Sequence, residues 1–300
     1  MIYEEIISRV PVNKGWSGDQ KYRVTVTDGS VYLLRIAPLE RLQRREHAFT
    51  HMQQAAKLKI PMCEPVEFGV CEEGVYTLET FIEGSDGEDY IGALSSIQQY
   101  AYGLDAGAAL KKLHSLPAPA DAQDWESRFN GKIDRKLSAY EGCPLKYEND
   151  EPMLRYLAEN RHLLKDRPQS YQHGDFHIGN MMVDTSGKLV IIDFDKDDHG
   201  DPWEEFNRLV WCAQAAPAFA SGMVDGYFDA NVPQEFWKLL ALYICSNCIS
   251  SLPWAIPFGE EEIQIMRRQQ ADILTWYENM TRVIPSWYQP VKDGREYENY

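Results

Sequence analysis

Residues 171–206 read YQHGDFHIGNMMVDTSGKLVIIDFDKDDHGDPWEEF, and this stretch decides how the rest of the chain is read. It sets His173-Gly174-Asp175 in a short loop and places Asn180 five positions after Asp175. An apolar strand, Leu189 to Ile192, then delivers Asp193 at its end. Ser186-Gly187, between two apolar runs, predicts a hairpin that folds the second half of the stretch back toward the first. Asp175 alone would be read as a turn residue, because Asp and Asn near turns commonly satisfy backbone groups. The conjunction of a His-Gly-Asp loop, an amide at a fixed offset and a strand-borne Asp-Phe is not ordinary turn chemistry.

HGDFHIGN followed by IIDFD resembles the catalytic and metal-binding segments of the aminoglycoside phosphotransferase family, relatives of the protein kinases. The resemblance implies an α+β, two-lobed, protein-kinase-like fold. Its N-terminal lobe, 1–83 with the hinge, would hold a small antiparallel sheet and one helix, and a larger, mainly helical C-terminal lobe would cover 84–300. It also implies transfer of the γ-phosphate of ATP or GTP, with Mg²⁺, to a hydroxyl of a small amine-bearing molecule such as an aminoglycoside. The same family resemblance leaves open an endogenous acceptor (choline, ethanolamine, homoserine or methylthioribose) or a nucleotide-binding scaffold with little turnover. In such chemistry the protein positions the acceptor and neutralises phosphate charge. Asp175 would then orient or deprotonate the acceptor hydroxyl, and Asn180 and Asp193 would offer the hard oxygens that suit Mg²⁺. His173 would brace the loop by hydrogen bonding.

In PVNKGWSGDQKYRVTV, residues 11–26, a turn with Gly15, Ser17 and Gly18 lies between two strand-like runs. By the resemblance, Ser17 and Gly18 belong to a loop over the phosphates; read alone, they make an ordinary β-turn. The next strand, VYLLRI, carries Arg35 where the family usually has a lysine that contacts phosphate and pairs with a helix glutamate. Glu46 matches that glutamate, and a planar guanidinium could reach both partners. In TLETFIEG, residues 77–84, the resemblance puts the adenine contacts on the Thr80 carbonyl and the Ile82 N–H. Asp197, Asp198 and Glu204 follow the metal aspartate and would suit a cationic substrate. Asp201 reads instead as an anchor for the following helix.

Charge narrows the partners. The chain has 300 residues, with 30 Lys+Arg against 46 Asp+Glu, for a formal net charge of -16. That repels phosphate backbones and anionic membrane surfaces, so a nucleic-acid polymer or a membrane is not the expected partner. No secretory signal is legible, and the most apolar stretch, Leu239 to Phe258, is broken by serines and prolines. Six scattered cysteines fit reduced thiols and, with the rest, a cytoplasmic protein, Cys245 and Cys248 reading as buried structural thiols.

Local patterns predict a hairpin about Asp28-Gly29 within 24–36 and a helix in 40–58 with Leu42, Phe49, Met52 and Ala56 toward one face. They also predict strands at 66–69 and 75–81, and a capped helix from Ser95 with Ile97, Ala101, Leu104 and Ala108 inward. Further helices are expected through 120–170, at 233–251 and at 260–280.

Overall fold

The computed structural model describes residues 1–13 and 18–289. In chain order the strands are β1 (Ile6–Pro11), β2 (Gln20–Val26), β3 (Val31–Ala37), β4 (Pro65–Cys71), β5 (Gly74–Thr80), β6 (Gly84–Asp86), β7 (Ser170–Gln172), β8 (Met181–Asp184), β9 (Leu189–Ile191) and β10 (Asp198–Gly200). The α-helices are α1 (Leu42–Ala56), α2 (Gly87–Gly92), α3 (Ser96–Leu113), α4 (Trp125–Glu141), α5 (Glu151–Asn160), α6 (Leu209–Ala215), α7 (Pro217–Phe228), α8 (Gln234–Ala255) and α9 (Glu260–Trp276). They form a kinase-like two-lobed fold, with an antiparallel five-stranded sheet and one helix near the N-terminus and a mainly helical remainder. The chain divides into two compact units. The first takes in Met1–Gly87, His173–Asp175 and Asn180–Asp197, where sequence had suggested one cut at 83/84.

In the first unit the sheet runs in the order β1-β2-β3-β5-β4. The β2–β3 register follows from the turn: Gly29 takes φ +89°, a conformation glycine adopts without steric cost, and Ser30 N–H donates to Asp28 Oδ1 at 2.8 Å. From there Lys21 falls opposite Arg35, and Arg35 opposite Thr77 on β5, so these three side chains share a face. The alternate positions Val24, Leu34, Ile36, Tyr76 and Leu78 form the apolar cluster of the other face. Burying each is worth about 2 kcal/mol, which fixes the polar row to the opposite side. A second small sheet, β6-β8-β9, carries the hairpin that sequence placed at Ser186-Gly187.

The second unit is helical, with the two-stranded pair β10-β7. The capping box at Ser95 and Gln98 starts α3 as expected. Its inward face is different, however: Ile97 and Leu104 are exposed, while Gly103, Ala106, Gly107 and Leu110 are buried. Close helix contact is the reason. A Cβ on Gly103 would lie 2.2 Å from the Phe219 carbonyl of α7, and one on Gly107 would lie 2.1 Å from that of Met223. Backbone approach, not a large apolar stripe, selects the face. α8 continues through Pro253 to Ala255, past the predicted end at 251. With its last turn to Phe258 it is long and apolar enough, by length and composition, to cross a membrane, and 67% of that window is buried inside the protein.

Candidate active site

His173 organises the loop. Its ring is fully buried, its Nδ1 accepts from the Asp175 N–H at 3.3 Å, and its Nε2 lies 3.0 Å from the Ile192 carbonyl. An acceptor Nδ1 together with a carbonyl at Nε2 places a ring proton on Nε2. Phe194 packs edge-on against the same ring, with centroids 4.6 Å apart. Asn180 closes the circuit, its Nδ2 donating to the Asp175 carbonyl at 2.9 Å and its own carbonyl accepting from the Ile192 N–H at 3.0 Å. Asp175, Asn180 and the residue preceding Asp193 are thus tied into one network. Gly174 is required in it. Its φ is +83°, and a Cβ there would meet the Lys196 carbonyl at 2.0 Å. That approach brings Lys196 over the loop, where its ammonium pairs with Asp175 Oδ2 at 2.7 Å.

Asp193, just beyond the end of β9, takes the left-handed conformation, φ 68° and ψ 57°, which Asp tolerates better than most residues. Its Oδ1 accepts from Arg35 Nη1 at 2.6 Å, and Arg35 Nη2 donates to Asp195 Oδ2. Asp19 Oδ2 lies 3.4 Å from the same guanidinium, and Arg45 pairs with both Asp19 and Asp195. Burial pushes the Asp193 carboxyl up, but Arg35 and Lys21 outweigh it and bring the group down to about 2. Arg35 is buried as well, and the charges of Glu79, Asp193 and Asp195 overcome that burial and keep it protonated. Glu79, on the same face of β5, moves the other way: burial pushes its carboxyl up against the pull of Arg35.

Several expectations require correction or placement. Glu46 is exposed and does not pair with Arg35. The buried face of α1 runs through Arg45, Ala48, Met52 and Ala55, so Glu46 lies about 140° around the helix from its centre. Ser17 lies outside the described residues. Gly18 is exposed, and among the described residues a Cβ on it would meet nothing closer than 3.6 Å, from Arg41. Thr80 ends β5, its N–H donating to the Glu64 carbonyl at 2.9 Å, and Ile82 follows in the irregular segment before β6. The acids expected to face a cationic substrate are each held by a side chain of the protein. Asp197 Oδ2 lies 2.6 Å from His51 Nδ1 in the first unit. In the second unit Asp198 is gripped by Arg128 at 2.6 and 2.7 Å, and Glu204 by Lys132 at 3.0 Å. Asp201 anchors structure, accepting from Arg167, the Trp203 N–H and the Tyr243 hydroxyl while fully buried.

Sequence reading missed Asp19, Lys21, Arg45, Asp195 and Lys196. The hairpin register contained the signal for Lys21, since counting back from Asp28-Gly29 sets it opposite Arg35. Asp195 and Lys196 lie within the quoted motif, where nothing local sets them apart from the charged residues around them. Asp19 and Arg45 left no local mark, because only tertiary packing brings them to Arg35.

The donor set fits a hard divalent cation. Asp193 remains ionised, the Asn180 amide nitrogen is engaged by the loop so that its oxygen is the end a cation would use, and Asp195 Oδ1 is buried without a hydrogen-bond partner among the described residues. These residues would hold Mg²⁺, whose charge offsets that of the nucleotide phosphates.

A model described as the phosphotransferase enzyme family matches residues 8–236. No curated protein matches the chain. Among solved structures, a thermostable mutant of aminoglycoside phosphotransferase APH(4)-Ia, in ternary complex with ADP and hygromycin B, is 16% identical, with a TM-score of 0.65 over 91% of this chain and 96% of that one. A mutant of aminoglycoside 2'-phosphotransferase-IIIa in its GDP complex is also 16% identical, with a TM-score of 0.65 over 89% and 92% of the two chains. A choline/ethanolamine kinase family protein from Mesorhizobium loti is 17% identical, with a TM-score of 0.64 over 91% of each.

Proposed function

This chain belongs to the phosphotransferase enzyme family and is a small-molecule kinase, and from that premise we propose that it transfers the γ-phosphoryl group of magnesium-bound ATP or GTP to a hydroxyl of a small, amine-bearing acceptor. The observation that carries the reading is the closed network joining Asp175, Asn180 and the residue before Asp193. It ties the loop that bears Asp175 and Asn180 to the residue before Asp193 through the buried His173 ring, the Asn180 amide and one backbone bond.

The acceptor oxygen attacks the γ-phosphorus, the bond to the β–γ bridging oxygen breaks, and nucleoside diphosphate leaves. Asp175 orients the hydroxyl and takes its proton. Lys196, whose ammonium holds the Asp175 carboxylate, would keep that carboxylate aimed and place positive charge beside the incoming phosphoryl group. Arg35 already answers Asp193, Asp195 and Asp19, so the cation offered to the phosphates is Lys21, its cross-strand neighbour. Lys21 makes no ion pair among the described residues.

Two lines support an amine on the acceptor. A net charge of -16 draws cations, and the structures matched include enzymes named for aminoglycosides and for choline or ethanolamine. Because Asp197, Asp198 and Glu204 are already paired, an ammonium binding there would have to displace His51, Arg128 or Lys132. One observation favours the nucleotide-binding scaffold with little turnover, namely the ion pairs of Arg35 to the candidate metal ligand Asp193 and to its neighbour Asp195. A phosphate-transfer screen over aminoglycosides, amino alcohols and neutral sugars, run on wild type and Arg35→Lys, separates the readings. Transfer to an amine-bearing alcohol supports the proposal. Nucleotide binding with no transfer to any acceptor in either protein supports the scaffold.

A further inference from the structure

We propose that His47, His51 and Asp197 form a site for a first-row transition-metal ion, Zn²⁺ foremost, separate from the Asp193 cluster. His47 and His51 lie one turn apart on α1, with ring centroids 4.0 Å apart and planes at 67°. Asp197 supplies the third donor, and its Oδ2 is 2.6 Å from His51 Nδ1. One donor atom from each residue lies within 4.8 Å of the other two. Tetrahedral Zn²⁺, with ligand bonds of about 2.0–2.1 Å, sets its donors roughly 3.3 Å apart. The gap is therefore about 1.5 Å at most, a distance that rotation of the exposed His47 side chain covers.

The chemistry of the donors selects the ion. Two imidazoles and a carboxylate suit Zn²⁺, Ni²⁺ or Cu²⁺ and leave one position to water, whereas Mg²⁺ prefers oxygen alone. The Asp197 side chain is only 4% exposed, so it offers the ion a carboxylate already largely removed from water. The location also matters. Arg45, two residues before His47, pairs with Asp195, two residues before Asp197. A metal at the three residues would add His47 to the His51–Asp197 contact between α1 and the 195–197 segment and restrain the residues that follow Asp193. A plain His51–Asp197 hydrogen bond explains two of the three side chains and gives His47 no part. His47 is therefore the discriminating position.

The test uses the full chain, free of any affinity tag and stripped of metal by chelation, titrated calorimetrically with Zn²⁺ in the presence of millimolar Mg²⁺. One equivalent should bind, and His47→Ala and Asp197→Ala should each weaken Kd by at least about tenfold, with His162→Ala as an unaffected control. Co²⁺ in the wild type should give the visible absorption of a four-coordinate nitrogen and oxygen site, and this should vanish in His47→Ala. Retained wild-type affinity in His47→Ala, an equal loss in His162→Ala, or no Zn²⁺ binding by the wild type would each overturn the proposal. None of these readouts depends on phosphotransfer.

Discussion

Replacing Arg35 with methionine removes the cation that holds the Asp193 cluster together. Arg35 is 4% exposed, 2.6 Å from Asp193 and 3.4 Å from Asp19, and it also pairs with Asp195. Of the two guanidinium groups that face these three carboxylates from within the core, only Arg45 remains, and it contacts Asp19 and Asp195 but not Asp193. Breaking a buried ion pair by deleting one partner costs about 3–5 kcal/mol, because the remaining charge has no counterpart. For a protein of this size that lowers Tm by roughly 5–8 °C. Arg35→Lys keeps the charge but cannot span Asp193 and Asp195 with a planar fork, so it should lose less, about 1–2 kcal/mol. On the proposed function, Mg²⁺ would restore positive charge to the same carboxylates. Millimolar Mg²⁺ should therefore raise the Tm of Arg35→Met more than that of wild type, in which Arg35 competes for Asp193. Differential scanning calorimetry with and without Mg²⁺ measures both effects. An Arg35→Met protein that melts within about 2 °C of wild type, or that gains no more from Mg²⁺ than wild type does, would refute the electrostatic reasoning.

Other changes test separate parts of the site. Gly174→Ala forces a Cβ to 2.0 Å from the Lys196 carbonyl at φ +83°, so either the loop or that carbonyl must move; stability should fall by about 3 kcal/mol and any transfer rate by about a hundredfold, read by melting and steady-state kinetics. Lys21→Met should weaken nucleotide binding about tenfold in a calorimetric titration while leaving Tm within about 2 °C, since the ammonium makes no ion pair among the described residues. Lys136 gives a pH test: burial, then Lys132 and Arg208, push its ammonium from 10.5 down to about 7 against the pull of Glu204. Between those values the unfolded chain binds more protons than the native one, so this group's contribution to stability rises with pH. Lys136→Met should therefore be more stable than wild type at neutral pH, and the gap should close as pH rises toward 10.5 in paired denaturation curves.

The parts of the fold that sequence made legible are those fixed by local chemistry. Asp28-Gly29 sets a turn that only a hairpin satisfies, and the Ser95–Gln98 box starts α3 on its own hydrogen bonds. The loop His173-Gly174-Asp175 and the strand ending before Asp193 are likewise local, and their residues meet because a short hairpin returns the chain. What sequence could not give depends on packing between distant elements. The face of α3 is chosen by glycines whose backbones touch α7, a contact that hydrophobic periodicity does not encode. The partner of Arg35 was misassigned because a motif position, Glu46, was read without the rotation of α1, which turns Arg45 inward instead. The acidic run after Asp193 looked like a substrate wall until His51, Arg128 and Lys132 were seen to answer it one by one.

The most direct test of the site is calorimetric titration with a non-hydrolysable ATP analogue, with and without Mg²⁺, on wild type, Asp193→Ala, Asn180→Ala and Asp175→Asn. Magnesium should strengthen binding in wild type and in Asp175→Asn, and this gain should disappear in Asp193→Ala and shrink in Asn180→Ala. An equal magnesium dependence in all four proteins would contradict a cation held by Asn180 and Asp193.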